Sequence, residues 1–217
     1  MPSQPSQPSQ PSQPDWPGLD RVPETLRSGR AVVLPNPSPL TYVVAATAPD
    51  VVNAAKQRPQ TQEVAVWVRG DEVWDQVAEG IRLPAPDRAR ALDLLRNELV
   101  TALVPVHAPD VLPPWLRPAV RDGFALLFGT LWEPLGPALA QFPRLYVSSA
   151  NRTGSPPAPT ARDASTMFGP DCLVVDGDTA RDLTVTHHAT TTVRVGADGA
   201  LELVRPGATD EVVARRP

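Results

Sequence analysis

The chain of 217 residues contains one cysteine, one lysine and no long apolar run. Each shortage excludes something. Cys172 alone cannot close an internal disulfide, and no Cys/His grouping has zinc spacing, so no metal site is expected. No run approaches the roughly 20 apolar residues of a transmembrane helix, and no basic-then-apolar signal is visible at the start. The formal charge of -4 gives no general attraction to nucleic acid, so any RNA contact needs a local basic patch. No Ser-His-Asp arrangement can be argued from spacing. The expectation is a soluble cytoplasmic protein of a reducing compartment, without a membrane partner. Apolar residues make up 41% of the chain, enough for a sizeable core.

The scarcity of lysine singles out Lys56, the one lysine among 20 strongly basic side chains. Arginine would have served for generic charge. A lysine here suggests a compact ammonium that turns its three donors toward an oxyanion. Arg58 adds a planar fork suited to phosphate or carboxylate, and Pro59 restrains it. The same Lys-Gln-Arg-Pro run also reads as an ordinary helix end, with cations in the last turn and proline beyond.

Residues 1–15 form a Pro-Ser-Gln repeat tail with almost no apolar content, expected to stay solvated and biased to polyproline II. A domain over 16–210 and a short tail over 211–217 follow. Within the domain, a helix over Leu19 to Gly29 is closed by glycine. Strands are expected at 31–34 and 40–46, with the turn 36–39 between them. Asp50 offers an N-cap for a helix reaching Lys56. Further strands are expected at 63–68, 100–106, 124–128, 145–148 and 173–175. Further helices are expected at 71–79, 87–95, 113–121, 134–141 and 160–168, the last with Thr160 and Asp163 as a capping box. A hairpin over 191–204 turns at Ala197-Asp198-Gly199. Short strands alternating with helices make an α/β domain with a mixed sheet.

A second informative stretch, Ser149-Ala150-Asn151-Arg152-Thr153-Gly154-Ser155-Pro156-Pro157, follows an apolar strand directly. Open α/β sheets place ligands at such strand ends, and short polar side chains with a glycine suit a phosphate. A plain hydrophilic turn is the bland alternative. His187-His188 and Asp176-Gly177-Asp178 read as loop features, and Trp67, Trp74, Trp115 and Trp132 as core or rim residues.

Taken in order, Lys56-Gln57-Arg58-Pro59, the serine-asparagine loop, Thr190-Thr191-Thr192-Val193 and Arg205-Pro206-Gly207 resemble the YrdC-like family, the threonylcarbamoyl-AMP synthases. The resemblance covers roughly residues 26–208. It implies a twisted open mixed sheet with flanking helices and a large concave face. It also implies a nucleotidyltransferase: L-threonine, bicarbonate and ATP give threonylcarbamoyl-AMP and pyrophosphate, for tRNA modification. ATP would be a substrate, with Mg²⁺ on its phosphates. Lys56 and Arg58 would be catalytic, and Ser149, Asn151, Thr191 and Arg205 would hold the nucleotide. Ser38 and Tyr42 would face the other substrate.

Departures accompany the match. The family's first motif resembles Pro-Thr-acid-Thr-Val-Tyr-Gly, set here against Pro37-Ser38-Pro39-Leu40-Thr41-Tyr42-Val43. Pro39 stands for the acid and Val43 for the glycine. Of another motif only Thr101 survives, and the family's strand arginine falls near Phe128, removing a cation for a substrate carboxylate. Three readings follow: a synthase with a compensated pocket, an enzyme making another acyl or carbamoyl adenylate, or a non-catalytic module binding nucleotide, tRNA or double-stranded RNA.

Overall fold

A computed structural model describes residues 14–129 and 131–214; the repeat tail, apart from its last two residues, lies outside them. Short β-branched runs become strands because side chains stiff at χ1 pack well on a pleated surface. They are β1 (Val32–Leu34), β2 (Val43–Ala46), β3 (Ala65–Trp67), β4 (Thr101–Pro105), β5 (Val120–Arg121), β6 (Phe124–Phe128), β7 (Tyr146–Ser149), β8 (Leu173–Val174), β9 (Thr192–Val195) and β10 (Leu201–Arg205). All join one mixed sheet in the order β10-β9-β4-β6-β3-β7-β2-β1-β8, with β5 beside β6. The pairs β1–β8, β3–β6 and β4–β9 are parallel and the others antiparallel. The helices are α1 (Val22–Arg27), α2 (Pro49–Ala55), α3 (Asp71–Ala78), α4 (Ala85–Asn97), α5 (Gly136–Leu139), α6 (Ala161–Phe168) and α7 (Glu211–Ala214).

Strand alternation divides the core into two clusters. One unites Tyr42, Val44, Val66, Ala102, Leu127 and Tyr146 of the sheet with Val52 of α2, Trp74 of α3, Leu94 of α4 and Phe168 of α6. The other unites Val43, Ala45, Ala65, Trp67, Phe128 and Val147 with Leu26 of α1, Leu139 of α5 and Trp16. This second cluster covers only part of its face, so a stretch of sheet near Val43, Ala65 and Phe128 lines a cavity.

Most expected elements form, and the differences have local causes. Asp50 is not the cap of α2: Ala48 holds that position with no side-chain bond, and Pro49, which needs no N–H partner, opens the helix. Thr160 does cap α6, its hydroxyl accepting from Asp163 N at 3.1 Å. The helix expected over 113–121 shrinks to a 3₁₀ turn at Arg117–Ala119, because Val120 and Arg121 pair with β6 instead. The strand expected from Leu40 starts at Val43, since Thr41 N bonds His188 O and Tyr42 N bonds Ala158 O. Val43 sits in regular pairing with Leu34 and Ser149, so the position that is glycine in the family needs no positive φ here. At the C-terminal side, the stretch expected as a tail begins with α7, whose Val212 is buried.

Gly129 marks a close approach of β6's exit to α4. A Cβ there would stand 2.4 Å from Leu95 Cβ and from Leu95 O. Gly129→Ala is therefore expected to lower stability by about 1–3 kcal/mol, read as an earlier midpoint in urea unfolding.

Candidate functional site

Helix α2 ends where Lys56 becomes its C-cap. Gln57 takes φ +52°, the left-handed conformation usually given to glycine after a helix. Gln57 N then bonds Ala54 O at 3.0 Å and Arg58 N bonds Asn53 O at 3.1 Å, satisfying carbonyls that the helix end would orphan. The local reading as a helix end is correct. The same turn directs Lys56 inward.

Lys56 is 3% exposed. Its Nζ donates to Ser149 O, to Asn151 Oδ1 at 2.7 Å and, more weakly, to Ser149 Oγ at 3.5 Å. Ser149 Oγ also donates to Asn151 Oδ1 at 2.7 Å. Asn151 Nδ2 holds the loop in shape by donating to Ser155 O at 2.9 Å. Arg152 pins the loop to both neighbouring helices, donating to Ala55 O at 2.7 Å and Met167 O at 3.1 Å. Lys56 thus meets Ser149 and Asn151 across more than 90 positions of sequence.

The charge balance at Lys56 is unusual. Burial, then the positive charges of Arg58 and Arg205, push its pKa down to about 7. Among the described residues the bonding partners of the ammonium are uncharged oxygens, while Glu63 offsets the charge of Arg58. Arg58 is oriented by Asn53, whose Oδ1 accepts from Nε at 2.6 Å, and donates to Glu63 O at 3.1 Å. Asn53 also donates to Gln60 O and Gln62 O, so one buried amide shapes the whole 56–62 turn. Nothing in the sequence pattern marked Asn53 beyond its place on α2.

Ser149 connects this cluster to a cavity of about 100 Å³, walled by Val43, Ala65, Leu126, Phe128 and Val147 on one side. Asn36, Thr41, Thr101, Thr190, Thr192, Ser148 and Arg205 supply polar groups. Arg205 Nη2 donates to Thr190 O at 3.1 Å, and the hydroxyls of Thr101 and Thr190 meet at 2.6 Å. Gly207 lets the Arg-Pro-Gly turn lie on the start of β9: a Cβ there would stand 2.4 Å from Thr191 N and Ala189 O.

Three expected site residues lie elsewhere. Thr191 has the opposite parity to Thr190 and Thr192; its hydroxyl donates to Asp210 Oδ1 at 2.8 Å and accepts from Thr209 N at 3.0 Å. It closes the turn after β10 and does not line the cavity. Tyr42 is fully buried on the far face, where its hydroxyl donates to Asp178 Oδ1 at 2.8 Å. Arg181 lies 4.8 Å from the Tyr42 ring and bonds Asp178 at 3.2 Å, forming a structural latch. Asp178 Oδ2 also accepts from Ala161 N at the start of α6. Ser38 accepts from Asp182 N at 2.8 Å and contacts His187 Nε2 at 3.3 Å, outside the cavity. Asn36, two residues earlier, occupies the place expected of Ser38. Its position beside Pro35 is a signal that a shifted motif alignment would have found.

Arg117, Arg121, Arg144 and Arg152, the candidates for a basic RNA-binding cluster, are each engaged locally: by Leu112 O, by Glu63, by the Trp115 ring and by helix-end carbonyls. Among the described residues no group of three or more His, Cys, Asp or Glu stands ready to hold a metal ion. No helix among them is long and apolar enough to cross a membrane.

The fold and this cleft define an α/β domain with cations gathered at the open ends of sheet strands. Solved structures specify it further. Sua5 of P. abyssi complexed with L-threonine matches with TM-score 0.63 and 18% identity, over 87% of this chain and 54% of that one. E. coli YciO matches with TM-score 0.60 and 13% identity, over 89% and 90%. Full-length HypF in a phosphate- and nucleotide-bound form matches with TM-score 0.63 and 16% identity, over 88% and 29%. The chain spans about half the length of the Sua5 structure. No family model matches the sequence, and no curated protein matches it. The chain has the YrdC-like fold.

Because the ammonium of Lys56 is disfavoured by its surroundings, a bound anion should favour it. Affinity for sulfate, whose charge is constant near neutrality, is expected to fall as pH rises through about 7, approaching tenfold per pH unit above it. Calorimetric titration across pH 6–9 measures this. Lys56→Met should show a flatter profile.

Proposed function

We propose that the chain is an adenylate-forming enzyme of the threonylcarbamoyl-AMP synthase type. The observation carrying this reading is a buried lysine whose charged neighbours, Arg58 and Arg205, are both positive. Such an arrangement is costly without an anion and well suited to a polyphosphate. It sits beside a cavity of about 100 Å³ lined by apolar and hydroxyl side chains. The likeness to Sua5 and HypF supports the same reading, since those structures hold L-threonine, and phosphate with nucleotide, respectively.

In the proposed reaction the amine of an amino acid combines with bicarbonate, losing water, to give a carbamate. A carbamate oxygen then bonds the α-phosphorus of ATP as the bond to the departing pyrophosphate breaks. Two anions must approach, and negative charge builds on the leaving group. Lys56, Arg58 and Arg205 offset both. To reach a phosphate, Lys56 exchanges a bond to Ser149 for one to the ligand, while Asn151 Oδ1 keeps the ammonium oriented. Ser149 Oγ, at the cavity edge, supplies a donor to the same oxygens. Mg²⁺ would arrive on the ATP phosphates, consistent with its habit of keeping waters and using substrate oxygens; its contribution is to neutralise phosphate charge. The product class serves tRNA modification in the family that the motifs resemble.

Phe128 favours a variation on this reading. It packs 5.5 Å from the Trp67 ring and makes apolar the wall where a carboxylate-binding arginine was expected. The acceptor amino acid is therefore held without a cation at the Phe128 position.

The test is pyrophosphate release from ATP and bicarbonate with each amino acid in turn. Amino-acid-dependent release is expected. Lys56→Ala should lower kcat/KM by roughly 10²–10³-fold while far-UV circular dichroism stays native. Lys56→Arg should not restore it, because a planar fork cannot occupy the compact three-donor position. Unchanged turnover in Lys56→Ala would reject the site.

A further inference from the structure

We infer that Asn36 is the anchor for the amine of the molecule occupying the 100 Å³ cavity. Asn36 is 1% exposed and lines that cavity. Its Nδ2 donates to Thr41 O at 2.8 Å. A backbone carbonyl only accepts, so this bond fixes which end of the amide is which. The other end, Oδ1, is buried without a partner. A buried amide oxygen left unpaired is costly, and such atoms in folded proteins are ordinarily satisfied by protein, water or ligand. An acceptor needs an N–H or O–H donor, and a primary amine or ammonium supplies it.

The rest of the cavity narrows the class. At ~10–15 Å³ for each water-sized group, it takes an occupant of about seven to ten such groups. This is the scale of a single amino acid. Val43, Ala65, Leu126, Phe128 and Val147 offer an apolar surface for its aliphatic part. Among the described residues Arg205 is the one cation lining the cavity, and it stands as the partner for a carboxylate. The carboxylate contact is thus shifted away from the Phe128 position, which carries no charge.

The assignment draws on the adenylate-forming reading only for its choice of probes. It is tested by binding alone, without ATP, so failure of pyrophosphate release leaves it standing. Isothermal titration compares L-threonine with 3-hydroxybutanoate, and L-valine with 3-methylbutanoate; each pair differs only by the amine. On the unmodified protein at least one amino acid should bind about tenfold or more tightly than its amine-free counterpart. In Asn36→Leu, which keeps the volume and removes the acceptor, that gap should collapse. Should Asn36→Leu not fold, Asn36→Ala replaces it, withdrawing the acceptor with a smaller side chain. Equal affinities within both pairs, no binding of either amino acid, or a gap that survives in the folded variant would each overturn the assignment.

Discussion

The ammonium of Lys56, out of contact with bulk water and shared between Ser149 O and Asn151 Oδ1, ties the end of α2 to the end of β7. Much of the cleft follows from that tie. It holds the serine-asparagine loop where Arg152 can bridge α2 and α6, and it places Ser149 at the edge of the cavity. It also concentrates positive charge. A lysine buried among neutral oxygens, with Arg58 and Arg205 nearby, is held in a state that an anion would relieve.

The two faces of the sheet divide the labour. One is covered by α2, α3, α4 and α6, and its side chains pack and fasten neighbouring segments. The other is covered by α1, α5 and the Trp16 region only in part, which leaves the cavity. Tyr42, Asp178 and Arg181 belong to the covered side. Their bonds fasten the segment after β8 to α6 and to Leu40 and Tyr42 just before β2, so they shape the site without entering it. The substitution of Phe128 for a cation is absorbed by apolar packing against Trp67, which makes this part of the wall stable rather than vacant. Arg205 approaches from the opposite side. The cleft thus has an apolar wall on one side and a cation on the other.

Local physics made much of this legible in the chain itself. Thr160 and Asp163 capping a helix, β-branched runs as strands and Ala197-Asp198-Gly199 as a hairpin turn all depend on neighbours a few residues away. Lys56, Arg58, Ser149 and Asn151 were legible for a different reason: each stretch alone also suits a bland role, and their order along the chain with the Thr-rich and Arg-Pro-Gly runs set them apart. Tertiary structure decided what each of them touches. Whether Thr191 or its neighbours Thr190 and Thr192 face the cavity depends on strand parity, which is set by β9 pairing with β4 and β10. Whether Ser38 or Asn36 enters it depends on where β2 begins, and that is set by bonds to Ala158 and His188 far along the chain. A one-residue change of register exchanges the faces of a strand, and no local pattern within the Thr-rich run distinguishes the two. The chemistry of the cleft was therefore written in its residue types, while the membership of the cavity waited on long-range pairing.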